Sequence, residues 1–202
     1  MEFKHIILII YKMEPHLQKN DKEMFYRYLK NISVYFEYGS GGSTYQASIR
    51  KNIKTIYSVE SDIEWQKKLK QKIKTSNVHY IYNELKTLPN KWGHPGKNAT
   101  DIEKQNYSNQ IRKLSKEEQD SIDLVFIDGR FRVACCLKCY DVIKDDCLIA
   151  FDDFLNRKQY HIVLKYFDIL EQTKGNRMVI LKKKINVTIP KEIIEKYELN
   201  SD

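Results

Sequence analysis

Apolar and polar positions along this chain follow two alternating periods. Lys22 to Lys30 (KEMFYRYLK) has helical spacing, with Asp21 placed to cap it. Val34-Tyr35-Phe36 is a short apolar run that stops at a glycine-rich turn, Glu37 to Thr44. The spacing then predicts a helix from about Thr44 to Lys51, a strand Thr55–Val59, a helix Ile63–Lys74 and a strand Val78–Tyr82. Residues 84–120 read as a polar, irregular insertion with a charged helical piece near Ile111. Ile122–Ile127 (IDLVFI) is a continuous apolar run, as expected of a strand buried on both faces. A helix Arg132–Val142, a buried strand Cys147–Phe151, a long amphipathic helix Lys158–Gln172 and a strand Met178–Leu181 complete the prediction.

Strand and helix alternate at least four times, which predicts an α/β fold of three layers, α/β/α, around a mostly parallel sheet. One domain over 1–202 is expected, with an N-terminal arm over 1–20 and the insertion at about 84–120. Within that arm, His5–Tyr11 is apolar but far shorter than the ~20 residues of a membrane span, so a strand or packed arm is expected. Ligands of such sheets bind at the carboxyl ends of the strands. The residues to examine are therefore Glu37 with its glycines, Glu60, Asn83, Asp128 and Asp152-Asp153.

Composition changes this picture little. The formal charge of +8 comes from 28 Lys and 7 Arg against 27 Asp plus Glu, beside 24 Ile and 13 Asn. That mixture is what an AT-rich genome tends to encode, so part of the charge is background. Cys135, Cys136, Cys139 and Cys147 lack the second pair or His cluster of a zinc site, and are expected as buried thiols of a cytoplasmic protein.

The glycine turn is the first piece of chemistry. Gly39, Gly41 and Gly42 let the backbone approach a ligand, and the helix start offers free N–H groups. The sixth position of a dinucleotide fingerprint is Thr44, and no Walker lysine follows. Glu37 would repel a pyrophosphate but suits a cation. Glu60 lies about 20 residues on, where a carboxylate holds a ribose diol. A positively charged nucleoside without phosphates satisfies both, and S-adenosylmethionine is one.

Glu37-Tyr38-Gly39-Ser40-Gly41-Gly42-Ser43-Thr44 resembles the first motif of class I S-adenosylmethionine-dependent methyltransferases. The likeness continues through Tyr57 to Trp65, Trp92-Gly93-His94-Pro95, Asp128 to Cys135, Phe151 to Phe154 and Tyr160, covering residues ~20–183, about one domain. It implies a Rossmann-like methyltransferase fold, with Glu37, Gly39, Ser40, Gly41, Ser43, Thr44, Glu60 and Asp128 holding the cofactor. The strand-end acids are also similar to those of catechol and macrolide-sugar O-methyltransferases. That likeness implies Asp128, Asp152 and Asp153 as Mg²⁺ ligands, the metal lowering the pKa of an attacking hydroxyl. The alternative is that Asp128 touches cofactor or substrate while Asp152-Asp153 cap a helix. His161 and His94 are candidate bases, and Arg130 and Arg132 candidate anion contacts. Trp92 and Tyr107 either stack on a ligand or pin the insertion.

The first expectation is a metal-assisted O-methyltransferase of a small hydroxylated acceptor, a sugar or nucleotide-sugar. An RNA methyltransferase is the alternative, with Lys67, Lys68, Lys70, Lys72 and Lys74 as a phosphate track or simply a solvated face. A cofactor-binding partner subunit without catalysis is the third. A homo-oligomer is compatible with each, and no membrane association is expected.

Overall fold

The computed structural model describes residues 13–89, 91–175 and 177–201; the predicted arm element His5–Tyr11 lies outside them. Seven strands form one sheet in the order β3-β2-β1-β4-β5-β7-β6. They are β1 Val34–Tyr38, β2 Thr55–Glu60, β3 Val78–Tyr82, β4 Leu124–Ile127, β5 Leu148–Phe151, β6 Phe167–Gln172 and β7 Val179–Lys183. The pairings from β3 through to β5 are parallel, and β7 runs antiparallel to both β5 and β6. The helices are α1 Lys19–Leu29, α2 Gly42–Ser48, α3 Ile63–Lys72, α4 Asp101–Ser108, α5 Lys116–Ser121, α6 Arg132–Cys139 and α7 Lys191–Glu198. This is the three-layer α/β/α architecture expected from the alternation.

Period-two alternation along the buried strands sorts the core onto two faces. Phe36, Tyr38, Val125, Ile127, Ile149 and Phe151 pack with α6 on one side. Tyr35, Ile56, Leu124, Phe126, Ala150 and Ile180 pack with Met24, Phe25 and Leu29 of α1 on the other. Both faces being covered explains the unbroken apolar run in β4. The four cysteines are buried free thiols, and burial pushes each thiol above its ordinary value.

Three predictions are corrected. Residues 158–172 are not one long helix: Lys158–Lys165 is 3₁₀ and Phe167–Gln172 is edge strand β6. Pairing with β7 supplies ladder hydrogen bonds to Phe167-Asp168-Ile169, and that tertiary gain overrides local helical periodicity. Asp21 does not cap α1. It is buried in the helix's first turn and accepts hydrogen bonds from Thr173 Oγ1 (2.5 Å) and the Met178 amide (3.1 Å), fixing the β6–β7 turn. The insertion holds the helical piece expected near Ile111 as the 3₁₀ turn Gln110–Lys113, but it is more regular than expected from residue 101 on, where Thr100 and Ser115 each build a capping box for α4 and α5. Among the described residues no helix is long and apolar enough to cross a membrane.

Candidate functional site

The chain runs outward from β1 to β2 and β3, then returns to place β4 on the other side of β1. That reversal opens a crevice at the carboxyl ends of β1 and β4, the usual ligand position in open α/β sheets. A cleft of about 570 Å³ lies there. Its floor is Gly39-Ser40-Gly41, Glu60 and Asp128 border it, and Trp65, Tyr107 and Arg130 stand around it.

Gly39 has φ +96°, and a Cβ on it would lie 2.9 Å from the Gly129 nitrogen, so the two strand-end loops meet only because both are glycine. A Cβ on Gly41 would meet nothing within 4 Å and would project into open space. Gly42 has a different purpose from the one expected. A Cβ there would lie 2.1 Å from the Glu14 carbonyl oxygen, so this glycine admits the N-terminal segment Met13–His16 to the cleft wall. Gln46 Nε2 donates to the Met13 carbonyl at 2.9 Å and Tyr26 donates to Glu14 at 2.5 Å, holding the segment down. Sequence reasoning missed this wall; the third glycine, idle in any phosphate role, was its signal.

Glu37 does not face the cleft. It is fully buried beneath the turn and accepts hydrogen bonds from Tyr35 (2.9 Å), Ser43 (2.7 Å), Ser58 (2.6 Å) and Thr44. Thr44 Oγ1 in turn accepts the Gly41 amide at 2.8 Å. Burial raises the Glu37 carboxyl, against the pull of its hydroxyl partners. Glu37, Ser43 and Thr44 thus shape the turn from below, whereas Gly39, Ser40 and Gly41 present its backbone. The motif is one hydrogen-bonded unit with an acid at its root.

Glu60 ends β2 and does border the cleft. Its Oε1 accepts the amides of Ser61 (2.6 Å) and Asp62 (2.8 Å), while Oε2 receives only a long contact, 3.3 Å, from the Ser40 amide. Oε2 retains capacity for hydroxyl donors. Burial pushes this carboxyl up to about 7 despite the three amides. Trp65 is anchored to the same turn by its indole N–H, which donates to the Ser40 carbonyl at 2.9 Å.

Asp128, Asp152 and Asp153 do converge, as adjacent strand ends require. Arginines meet them there. Arg132 lies 3.0 Å from Asp128, 3.4 Å from Asp153 and 3.9 Å from Asp152. Arg157 (3.0 Å) and Arg177 (2.9 Å) also pair with Asp153. Three guanidiniums meet the acids, and Asp152 keeps its proton near neutral pH, so the set lacks the net negative oxygen ligands that a divalent cation needs. Among the described residues no group of three His, Cys, Asp or Glu is arranged to hold a metal. The expectation of magnesium is corrected on this ground. Asp152, crowded by Asp128 and Asp153 after burial, is pushed up to about 8. Asp128 alone of the three reaches the cleft, and burial raises it against the pull of Arg132.

His161 is also displaced from its expected role. Its ring stacks on Phe154 at 5.0 Å and Nε2 bonds the Phe154 carbonyl at 3.0 Å, away from the cleft. Arg130 does border the cleft, and its guanidinium bonds His94 Nε2 at 2.8 Å. Tyr107 packs between Tyr38 and Phe131, its ring tilted to both at 5.8 Å, and pins the insertion to the sheet. Trp92, Phe131 and Asp153 hold positive φ angles of 50°, 53° and 59° around this edge. Backbone strain of this kind concentrates at functional sites.

No family model matches the sequence, and no curated protein does. Solved structures do. A methyltransferase-like protein from Silicibacter pomeroyi superposes with a TM-score of 0.79 at 24% identity, over 95% of this chain and 99% of that one. A candidate methyltransferase from Streptococcus mutans, in complex with S-adenosylhomocysteine, gives 0.54 at 11%, over 83% and 100%. A tRNA methyltransferase from Aquifex aeolicus gives 0.53 at 14%, over 86% and 72%. The chain therefore has the class I S-adenosylmethionine-dependent methyltransferase-like fold.

Proposed function

We propose that this protein is a methyltransferase that takes its methyl group from S-adenosylmethionine and delivers it to RNA. The observation that carries the reading is Glu60, a nearly buried carboxylate at the end of β2 with one oxygen turned to an open glycine floor. When bound, S-adenosylmethionine supplies an electrophilic methyl group on a cationic sulfur. Glu60 would accept the ribose hydroxyls, and the Gly39-Ser40-Gly41 backbone leaves room for a ligand at the α2 start. Trp65 walls the same end. Asp128, backed by Arg132, stands where an N–H or O–H acceptor would give up its proton, and burial raises its basicity toward that task. The remaining contribution of the chain is to hold both partners in place.

Two observations favour RNA over a sugar. The sugar reading depended on a metal gathering two oxygens, and the arginines remove the metal's site. The similar fold of a tRNA methyltransferase supports an RNA acceptor. A screen with labelled methyl donor against total RNA and against nucleotide-sugars tests this. Label is expected in RNA and unaffected by EDTA. Label in nucleotide-sugars would restore the sugar reading, and S-adenosylhomocysteine binding without transfer to any pool would return the chain to a cofactor-binding module.

A further inference from the structure

We infer that Trp92 is a stacking platform for the acceptor's nucleobase, with the adjoining phosphate held by Arg130. This rests on the methyltransferase reading above and adds where the acceptor sits. Trp92 is 79% exposed, the most exposed large apolar side chain among the described residues. An indole left in water is unusual for so apolar a ring, and its backbone adopts φ +50°, a strained angle for tryptophan. Both costs persist beside main-chain hydrogen bonds among its described neighbours. Leu88 N donates to the His94 carbonyl (2.8 Å), His94 N to the Lys91 carbonyl (3.0 Å) and Gly96 N to the Lys86 carbonyl (2.6 Å). These bonds hold the main chain on both sides of Trp92, which lowers the cost of ordering it when a planar partner binds.

Its place relative to the cleft narrows the partner. A Cβ on Gly93, next in the chain, would lie 3.3 Å from Ser61 Oγ and 3.9 Å from Arg130 Cγ, so Trp92 stands near the loops that follow β2 and β4. Trp65 is anchored to the floor, half as exposed at 38%, and stands beside Glu60 where the cofactor is expected. Trp92 lines the same cleft, and its ring neighbours that of His16, centroids 5.7 Å apart and tilted by 59°. Four acids, Glu14, Glu60, Asp62 and Asp128, line the cleft, and Arg130 is the guanidinium among its lining residues, bonded to His94. A π-face in a cleft that also holds the Arg130 guanidinium matches a nucleobase with its phosphate, from either a free nucleotide or a strand, since every base offers a π-face.

The test uses the full chain saturated with S-adenosylhomocysteine and a fluorescein-labelled, mixed-sequence single-stranded RNA, with adenosine and uridine monophosphates as the free-nucleotide arm. Trp92→Ala should weaken RNA binding roughly 5- to 150-fold, the range for losing one base stack, while Trp92→Phe retains most of it. Arg130→Ala should weaken binding and flatten its salt dependence by about one phosphate. Monophosphates that compete at micromolar concentration would place a free nucleotide in the subsite; competition by RNA alone places a strand there. Unchanged RNA affinity in Trp92→Ala, or binding of neither RNA nor the monophosphates by the wild type, would overturn the inference. So would loss of S-adenosylhomocysteine binding in that variant, since the ring would then belong to the cofactor. Failure of the wild type to bind S-adenosylhomocysteine would instead sink the methyltransferase reading itself.

Discussion

Replacing Glu60 by glutamine separates what the fold pays for its cofactor contact from what the contact delivers. The carboxyl sits at about 7 instead of its ordinary 4.5 because burial penalises the charged form. At about 1.4 kcal/mol per tenfold in proton affinity, ionising it in the folded state costs about 3 kcal/mol. The sign follows from linkage. Below about pH 4.5 both folded and unfolded chains carry the proton and the residue is neutral to stability. As pH rises the unfolded chain ionises first, so stability is lost progressively and the full cost is reached above about pH 7. Glutamine keeps a carbonyl oxygen for the Ser61 and Asp62 amides and never ionises. Glu60→Gln should therefore raise the melting temperature near pH 8 by several degrees, at ≈ 2–4 °C per kcal/mol for a chain of this size, and leave it unchanged near pH 4. The same variant should bind S-adenosylhomocysteine about 10- to 100-fold more weakly, the worth of hydrogen bonds to a charged acceptor. Wild-type affinity should rise about tenfold between pH 6 and 8 as the carboxylate forms, and the variant should lose that slope. Thermal melts and calorimetric titrations across pH measure both. A variant that melts like the wild type at every pH, or one that binds the ligand as tightly, would refute the reasoning.

Other substitutions test other parts. Gly42→Ala should destabilise the fold by about 1–3 kcal/mol in denaturant melts, because the new Cβ overlaps the Glu14 carbonyl; an unchanged midpoint would mean that Met13–His16 does not pack where described. Arg132→Met strips the buried acids of their shared cation and should cost about 3–5 kcal/mol near neutral pH, and less near pH 4, where Asp128, raised by burial, has taken up its proton. A loss of equal size at both pH values would contradict the ion-pair account. Glu198→Ala leaves the buried Lys138 ammonium without its α7 partner, with a cost also about 3 kcal/mol in the same melts. Treatment with EDTA should change neither melting nor methyl transfer, since the acids face arginines and not a metal.

What the sequence made legible were features with a local signature. Unbroken apolar runs such as Leu124–Ile127 marked strands covered on both faces, and each strand's last residue marked the functional edge. Glu60 could be placed because a strand end and a spacing define it. Glu37 carried the same signature but went beneath the turn, since Tyr35, Ser43, Thr44 and Ser58 converge on it from three elements. That convergence has no trace in spacing alone. The acidic trio misled although part of the answer was local. Arg132 and Arg157 stand four residues after Asp128 and Asp153 and pair with them, whereas Arg177 reaches Asp153 only through the fold. Local helical periodicity over Lys158–Gln172 lost to a strand partner, β7, that lies later in the chain.

The most direct test of the account is equilibrium titration of the full wild-type chain with S-adenosylhomocysteine. The account predicts saturable binding of one molecule per chain, weakened by Glu60→Gln. An absence of binding by a folded wild-type chain, or binding indifferent to that substitution, would contradict it.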